Sequence, residues 1–338
     1  MANPRLHRLV CAFVIGLFAC SALLAAQGPS KGYSPPRTPW GDPDLQGTWP
    51  GTDLVGVPLQ RDPKLGTRNR LTEEEFQARQ EQFAKQEATD EADFDPDHPA
   101  GNPGDVGSPT SPPPHWLERG KPQYIASLIV DPPDGRIPPN TAEAQQRNAA
   151  AAAARRGRGP ADSYTDRSLY DRCITRGVAG SILPVIYNNG NEIVQGPGYV
   201  VLRNEMIHES RVIPLDGRPH PGRGVTMWMG DSRGHWDGDT LVVETTNFDP
   251  RTAGIGANGG GRISEDLTIT ERITRVAPDL LVWRMTFDDP NTWTRPFTIE
   301  LPLRRDDSYG MFEYACHEGN YALRNILSAA RAEERAGR

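Results

Sequence analysis

The clearest pattern in the sequence is an alternation of apolar and polar positions in its second half. In residues 267–274, leucine and isoleucine alternate with threonine and arginine, and a glutamate, Glu271, stands in the apolar row. The same alternation recurs in residues 281–287 and 297–303. Because successive side chains of a strand point to opposite faces, the pattern predicts strands with one buried and one polar face.

Runs with strand character follow one another from residue 191 to residue 316, with turn signals between them. Asp237-Gly238 is the strongest of these signals, because Asp-Gly favours a two-residue hairpin. Short strands at roughly ten-residue spacing predict an antiparallel sandwich or barrel. No helix separates them, which excludes a dinucleotide-binding α/β fold. The runs are Asn191–Gln195, Tyr199–Met206, Arg211–Leu215, Thr240–Phe248, Leu267–Val276, Leu281–Asp288, Phe297–Arg304 and Met311–Cys316.

Three segments have helical character. Thr72 and Glu75 form a capping box ahead of an amphipathic run. Residues 141–156 are rich in alanine and glutamine, which favours a helix. Residues 320–334 carry apolar side chains at helical spacing, and we expect this helix to pack against the sheet.

The part of the chain before the strands has a different composition. Residues 27–60 are rich in turns and poor in apolar residues, which predicts an extended arm anchored on the main domain by Trp40 and Trp49. Residues 89–122 have the composition of an irregular or disordered loop. The predicted fold is therefore mainly β: an antiparallel barrel-like (lipocalin-like) or sandwich domain at 181–338 with a C-terminal helix, preceded by an extended arm with a few peripheral helices at 27–180.

The N-terminal sequence bears on cellular location. Arg5 and Arg8 precede the uncharged apolar residues 11–26, a pattern typical of a secretory signal peptide and too short for a confident spanning helix. Cleavage is predicted after Ala26, and a lipoprotein anchor at Cys20 is the alternative. The mature chain is thus predicted to be periplasmic or secreted, with no membrane span.

Net charge and composition limit the partners and the size of the core. The net charge is −7, and removing a signal peptide that holds two arginines and no acidic residue makes it more negative. An acidic exported chain is a poor nucleic-acid binder, so we expect a small-molecule ligand and no nucleic acid. The 32 prolines are about twice the usual share, and the hydrophobic fraction of 36% limits the core to one modest domain.

Two of the four cysteines remain once the signal peptide is removed. Cys11 and Cys20 lie in the signal, which leaves Cys173 and Cys316 to form a disulfide in an oxidising compartment. The alternative is a Cys316 nucleophile served by His317. That alternative is disfavoured because adjacent residues on a strand point to opposite faces.

Two histidine–glutamate pairs stand at the ends of predicted strands, where loops gather and sites are common. One pair is in residues 208–209 and the other in residues 317–318. We predict catalytic groups at the mouth of a cavity from this pattern: His208, His317, Glu318 and Asp231. Such a cluster could hold a divalent metal with an open position or perform acid–base chemistry without one. Structural histidines are the third possibility, and no cofactor or metal ligand is assigned.

Polar residues near these strand ends are predicted to contact the ligand. They are Tyr187, Asn188, Glu209, Arg211, Arg233 and Glu271. Glu271 is the most unusual of them, because a carboxylate in an apolar row needs a partner or must be neutral. Two interpretations stay open for it: an acid–base group in a ligand cavity, or a structural carboxylate paired with an arginine.

Several blocks of the chain resemble a family of secreted bacterial proteins. The resemblance spans nearly the whole mature chain and implies an exported single-domain protein, without implying a reaction. In the pattern of that family arginine often replaces His235, which favours His208, His220 and His317 as the functional histidines. The blocks that carry the resemblance are Trp40–Trp49, Tyr187–Asn189, Met206–His220, Trp228–Phe248 and Tyr314–Tyr321.

The functional hypothesis from the sequence is an exported protein that binds, and possibly transforms, a small and partly apolar molecule in a β-barrel-like cavity. One alternative is a metal-dependent hydrolase or lyase that uses the His/Glu/Asp cluster. Another is a non-catalytic binding or interaction module whose histidines are structural. The sequence leaves enzymatic activity and oligomeric state open.

Overall fold

The computed structural model describes residues 33–91, 116–252, 255 and 262–337. The predicted signal peptide, with its lipoprotein alternative at Cys20, lies outside these residues. So do residues 92–115 of the predicted irregular loop. No helix in the described ranges is long and apolar enough to cross a membrane.

The described part of the chain is mainly β, as predicted. Its strands are β1 Gly47–Thr48, β2 Ile129–Asp131, β3 Asn191–Gly196, β4 Tyr199–Asn204, β5 Ser210–Pro214, β6 Asp231–Asp237, β7 Thr240–Thr246, β8 Thr268–Ala277, β9 Leu280–Asp288 and β10 Phe297–Arg304. Its α-helices are α1 Glu73–Glu91, α2 Ala142–Ala154, α3 Gly177–Ile182 and α4 Ala322–Arg335.

The strands form two antiparallel sheets. One sheet has the order β1-β3-β4-β5 and the other the order β2-β10-β9-β8-β7-β6. Within the described residues no ladder joins the edge strands of one sheet to those of the other, so the sheets do not close into a barrel. Of the two predicted alternatives, a sandwich-like arrangement fits the described strands, which form no closed barrel.

Seven of the predicted strand runs correspond to observed strands, and two differences are informative. Residues 311–316, predicted as a strand, are irregular, and hydrogen bonds and a disulfide hold them outside both sheets. Strand β6 was not predicted, because its sequence mixes Gly234 with charged side chains. The Asp237-Gly238 hairpin nevertheless pairs it with β7.

The core lies on the inner faces of the sheets. A row of large apolar side chains crosses four neighbouring strands at Leu241, Ile273, Trp283 and Leu301, all of them buried. Full burial of such a side chain contributes about 1.5–3 kcal/mol. The alternation in the sequence therefore correctly identified the face that is removed from water.

The arm contributes to this core through one of its two predicted anchors. Trp49 is fully buried, and the guanidinium carbons of Arg275 and Arg305 lie 5.7 and 5.9 Å from its ring centroid. Trp40 remains 37% exposed and donates its indole N–H to Asp42. The expectation that Trp40 is an anchor is therefore wrong.

The helices lie at the periphery. The capping box of α1 is present, since the Thr72 amide donates to the Glu75 carboxylate at 2.8 Å and the Glu75 amide to the Thr72 hydroxyl at 3.3 Å. Helix α4 differs from its prediction, because none of its residues is buried in the core. Instead its Arg331 donates a hydrogen bond to the Asp162 carbonyl at 2.9 Å.

Candidate functional site

A cavity of about 1050 Å³ lies beside the sheets, and none of its lining residues belongs to a strand. Its wall is assembled from segments far apart in the sequence. The C-terminal segment after β10 supplies more than half of the lining. The wall consists of residues 116–118, 170–171, 187–188, 205, 309–310, 312–316 and 318–320.

The chemistry of this wall is aromatic and acidic. Among the described residues that line the cavity there is no lysine, arginine or histidine. Six lining residues carry aromatic rings and five carry carboxyl groups. The aromatic residues are Trp116, Tyr170, Tyr187, Tyr309, Phe312 and Tyr314, and the acidic ones are Glu118, Asp171, Glu205, Glu313 and Glu318.

Three of the tyrosines meet at their hydroxyl groups. The Tyr170 hydroxyl lies 2.7 Å from that of Tyr187 and 2.8 Å from that of Tyr314. Burial raises the pKa of Tyr170 and of Tyr187 to about 12, so both phenols keep their protons at neutral pH. The hydroxyls of Tyr187 and Tyr314 also interact with each other, so the three O–H groups can donate within the cluster. Each hydroxyl oxygen has two lone pairs, so the cluster can still accept a hydrogen bond from another molecule.

A buried cation lies behind this tyrosine cluster. The Arg176 guanidinium carbon is 4.8 Å from the Tyr170 ring centroid, and the residue is only 3% exposed. Burial lowers the pKa of Arg176, yet an arginine keeps its charge in proteins. Within the described residues its Nε has no hydrogen-bond partner. The face of an aromatic ring thus supports this cation.

Glu205 links the end of β4 to the segment that closes the cavity. Its carboxylate accepts hydrogen bonds from the Asn188 side-chain amide at 3.0 Å and from the backbone amides of Gly190 at 3.1 Å and Phe312 at 3.0 Å. It also accepts the Tyr309 hydroxyl at 2.7 Å. Because Glu205 is only 2% exposed, these donors replace the water that an ionised carboxylate requires.

The Tyr309 hydroxyl lies between two carboxylates. It is 2.7 Å from Glu205 and 2.8 Å from Glu118. Glu118 is held in turn by the Asn189 backbone amide at 3.1 Å and by the Thr52 hydroxyl at 2.9 Å. A phenol has one proton to donate, so the two carboxylates share this donor and fix Tyr309 between them. Burial raises the pKa of Tyr309.

Strained backbone surrounds the cavity. Cys173, Asn188, Ile207 and His208 have φ angles of 54°, 56°, 55° and 46°, in the left-handed region that non-glycine residues rarely adopt. Each such residue costs on the order of 1–3 kcal/mol, and these conformations cluster at functional sites. Contacts across the cavity wall hold them, for example His208 Nδ1 at 2.8 Å from the Tyr314 carbonyl oxygen.

The predicted disulfide between Cys173 and Cys316 is confirmed. It joins residues 143 positions apart and ties the segment of Tyr170 to the segment of Tyr314. Closing a loop of this length stabilises the fold by about 5 kcal/mol in the chain-entropy model.

The cavity includes some of the residues predicted from the sequence. Tyr187, Asn188 and Glu318 line it. His208 contacts the Tyr314 carbonyl from outside the lining, and the side chain of the exposed His317 makes no hydrogen bond with the described residues.

Other predicted residues lie elsewhere. Arg211 and Glu271 are buried and form a double hydrogen bond of 2.5 and 2.8 Å, and the Trp283 indole N–H donates to Glu271 at 3.0 Å. Pairing with an arginine, the second interpretation of Glu271, is confirmed. Neither residue lines the cavity, because each charge is satisfied by the other.

Asp231 and Arg233 pair with each other on β6, at 2.7 and 2.8 Å. His220 Nδ1 lies 2.6 Å from the same aspartate. Glu209 also lies outside the lining. The structure therefore does not bring the predicted cluster of His208, His317, Glu318 and Asp231 together, and no group of three or more potential metal ligands occurs in the described ranges.

Sequence reasoning missed most of the cavity wall, including Glu118, Tyr170, Glu205, Tyr309 and Tyr314. One signal could have found two of these residues. Tyr170 stands three positions before Cys173, and Tyr314 two positions before Cys316. The predicted disulfide therefore implied that these tyrosines lie near each other.

Comparison of the chain with protein-family models, with curated proteins and with solved structures finds no match.

Proposed function

We propose that the protein binds a small, partly apolar molecule in the cavity beside its sheets. One observation carries the proposal: three tyrosine hydroxyls meet in the wall of a cavity of about 1050 Å³. Their oxygens have lone pairs that can accept a hydrogen bond. A ligand with a hydroxyl or N–H group would donate to this cluster.

The size and the composition of the cavity support this proposal. A volume of about 1050 Å³ is at the upper end of the range for small-molecule sites, which are mostly apolar with a few polar groups that fix orientation. Six aromatic side chains supply large apolar contact surfaces. The strained residues around the wall are a third feature typical of functional sites.

A second candidate function, chemical conversion of the bound molecule, is favoured by Tyr309 and its two carboxylate neighbours. A phenol and carboxylates within hydrogen-bond distance of one another are groups that transfer protons in general acid–base catalysis, and all three residues line the cavity. The metal-dependent alternative has less support, since its ligands are not assembled in one place.

We infer that the protein is exported. The composition of residues 1–26 supports a signal peptide, and a disulfide that closes a long loop is typical of oxidising compartments. Membership of the secreted bacterial family that the chain resembles is part of the same proposal.

Ligand-observed NMR with a library of small aromatic and oxygen-containing compounds tests the binding function. We expect hits whose affinity falls about threefold to tenfold in Tyr170→Phe, which removes the central hydroxyl, as is typical for one lost hydrogen bond. Tyr164→Phe is the matched control, since that residue is exposed and its hydroxyl makes no hydrogen bond with the described residues. The absence of any hit, or equal losses in both variants, would contradict the proposal.

A further inference from the structure

We infer that the ligand is an organic cation, in which an amine or quaternary ammonium group is attached to an apolar body. This inference names the ligand class of the cavity and so rests on the proposed binding function. It follows from two carboxylates of the wall, Glu313 and Glu318, that have no partner among the described residues, and from the aromatic side chains in the same wall.

The carboxylates of the wall differ in how far they are satisfied. Glu118 and Glu205 accept hydrogen bonds from neighbouring amides and from Tyr309. Asp171 forms an ion pair of 3.2 Å with Arg167. Glu313 and Glu318 make no hydrogen bond or ion pair with any described residue, and both line the cavity. Two carboxylates in the wall are therefore free to bind a cation.

Positive groups nearby do not cancel these two charges. Arg176 is the closest buried cation to the tyrosine cluster, but it is not a lining residue and lies against one face of the Tyr170 ring. Arg167 is already paired with Asp171. His317 is exposed beside Glu318 and does not line the cavity.

Aromatic side chains stand in the same wall as the free carboxylates. Trp116 and Phe312 are 62% and 73% exposed although both are large and apolar. A cation over such a ring is attracted by the negative face of its π system, most strongly for tryptophan. Rings combined with carboxylates are the usual means of binding substituted ammonium groups, because the rings also contact the apolar substituents.

Two parts of the wall would then contact different parts of one ligand. Arg176 makes the surroundings of the tyrosine cluster unfavourable for a cation, while the hydroxyl oxygens there can accept a hydrogen bond from a neutral O–H or N–H group. The ammonium group is expected beside Glu313 and Glu318. An anionic ligand would instead face these carboxylates at close range, with repulsion that grows as water is displaced.

Isothermal titration calorimetry with three probes of similar size tests the inference: benzyltrimethylammonium, benzyl alcohol and benzoate. We expect the cation to bind at least about threefold more tightly than the neutral probe at low salt, and benzoate to bind most weakly. Added salt should weaken binding of the cation and leave benzyl alcohol unchanged.

The double variant Glu313→Gln/Glu318→Gln should reduce affinity for the cation about tenfold and leave benzyl alcohol unaffected. Its matched control is Glu74→Gln/Glu81→Gln, which removes the same charge from exposed positions of helix α1. Equal losses in the two double variants would overturn the inference, because they would reflect net charge alone.

The outcomes separate this inference from the function on which it rests. If benzyl alcohol or benzoate binds as tightly as the cation, and Tyr170→Phe weakens that binding, the cavity binds ligands and the cationic class is wrong. If none of the three probes binds, and the wider compound library also yields no hit, both proposals fail.

Discussion

The interior between the sheets and the surroundings of the cavity each contain a buried arginine, Arg211 and Arg176 respectively, and the two arginines have different partners. Between the sheets, two N–H groups of Arg211 bond to the Glu271 carboxylate, which also accepts the Trp283 indole N–H. Beside the cavity, Arg176 forms no ion pair with a described residue, and its guanidinium group lies over the Tyr170 ring. The Nε of each arginine lacks a hydrogen-bond partner among the described residues, so the difference between them is the countercharge. A buried cation that is paired with a carboxylate stabilises the fold, whereas one that is supported only by an aromatic ring beside a cavity is a feature of a candidate site.

The largest effect should come from breaking the ion pair between Arg211 and Glu271. Arg211→Met leaves the Glu271 carboxylate buried without its countercharge, which is expected to cost about 3–5 kcal/mol in free energy of unfolding. Urea denaturation followed by tryptophan fluorescence measures this. Arg203→Met is the control, because the Arg203–Glu192 pair is more exposed and its loss should cost less than about 1 kcal/mol. Similar losses in the two variants would remove the basis of the comparison.

An intermediate effect is expected in the cavity wall from Tyr309→Phe. The change removes a donor from two carboxyl groups and should lower the free energy of unfolding by about 1–3 kcal/mol. Urea denaturation followed by tryptophan fluorescence measures this loss. Tyr164→Phe is the control, because Tyr164 is exposed and its change should alter the free energy of unfolding by less than about 0.5 kcal/mol. Equal free energies of unfolding in the two variants would mean that the hydrogen bonds of Tyr309 do not stabilise the wall.

The smallest effect concerns Glu209, which lies near the cavity but outside its lining. Burial raises the pKa of Glu209, although Thr175 and the charges of His208 and Arg211 act in the opposite direction. The folded state therefore binds this proton more tightly than the unfolded chain. The resulting stability is full below about pH 4.3, the ordinary value, and is lost as pH rises through the higher folded value.

Glu209→Gln cannot ionise, so its free energy of unfolding should fall less between pH 4 and neutrality than that of the parent protein. Thermal denaturation across this range measures the difference. Glu74→Gln, at an exposed position, should leave the pH profile of the parent unchanged. An unchanged profile in Glu209→Gln would mean that the carboxyl is solvated in the folded state.

Most of the fold could be predicted from the sequence, because alternation reports burial directly. Glu271 shows what alternation predicts and what it does not predict. Its place in an apolar row correctly indicated that it needs a partner, but a single sequence does not show that Arg211, 60 positions away, is the one. The disulfide was predictable for a simpler reason, since only two cysteines lie outside the predicted signal peptide.

The candidate site was much less accessible to sequence reasoning. Residues 311–316 are apolar and aromatic apart from Glu313, which predicted a strand. They form an irregular wall instead, because their backbone and side chains bond to Glu205, Tyr170 and Cys173. The histidine–glutamate pairs were predicted to be catalytic because their residue types are common in catalysis. Contacts between distant segments determine which side chains form the cavity wall. The local sequence pattern does not show these contacts.

The position of the cavity wall after the last strand has a consequence for the order in which the molecule is made. Strand β10 ends at Arg304, and the closing segment with Tyr309, Tyr314 and Cys316 leaves the ribosome only after all the described strands. In the exported chain that we propose, this segment also enters the oxidising compartment after the strands, so the disulfide that closes the wall forms last. Ligand binding would therefore require a chain that extends through residue 320 and has Cys316 joined to Cys173. A chain in which only the sheets have folded would not bind the ligand.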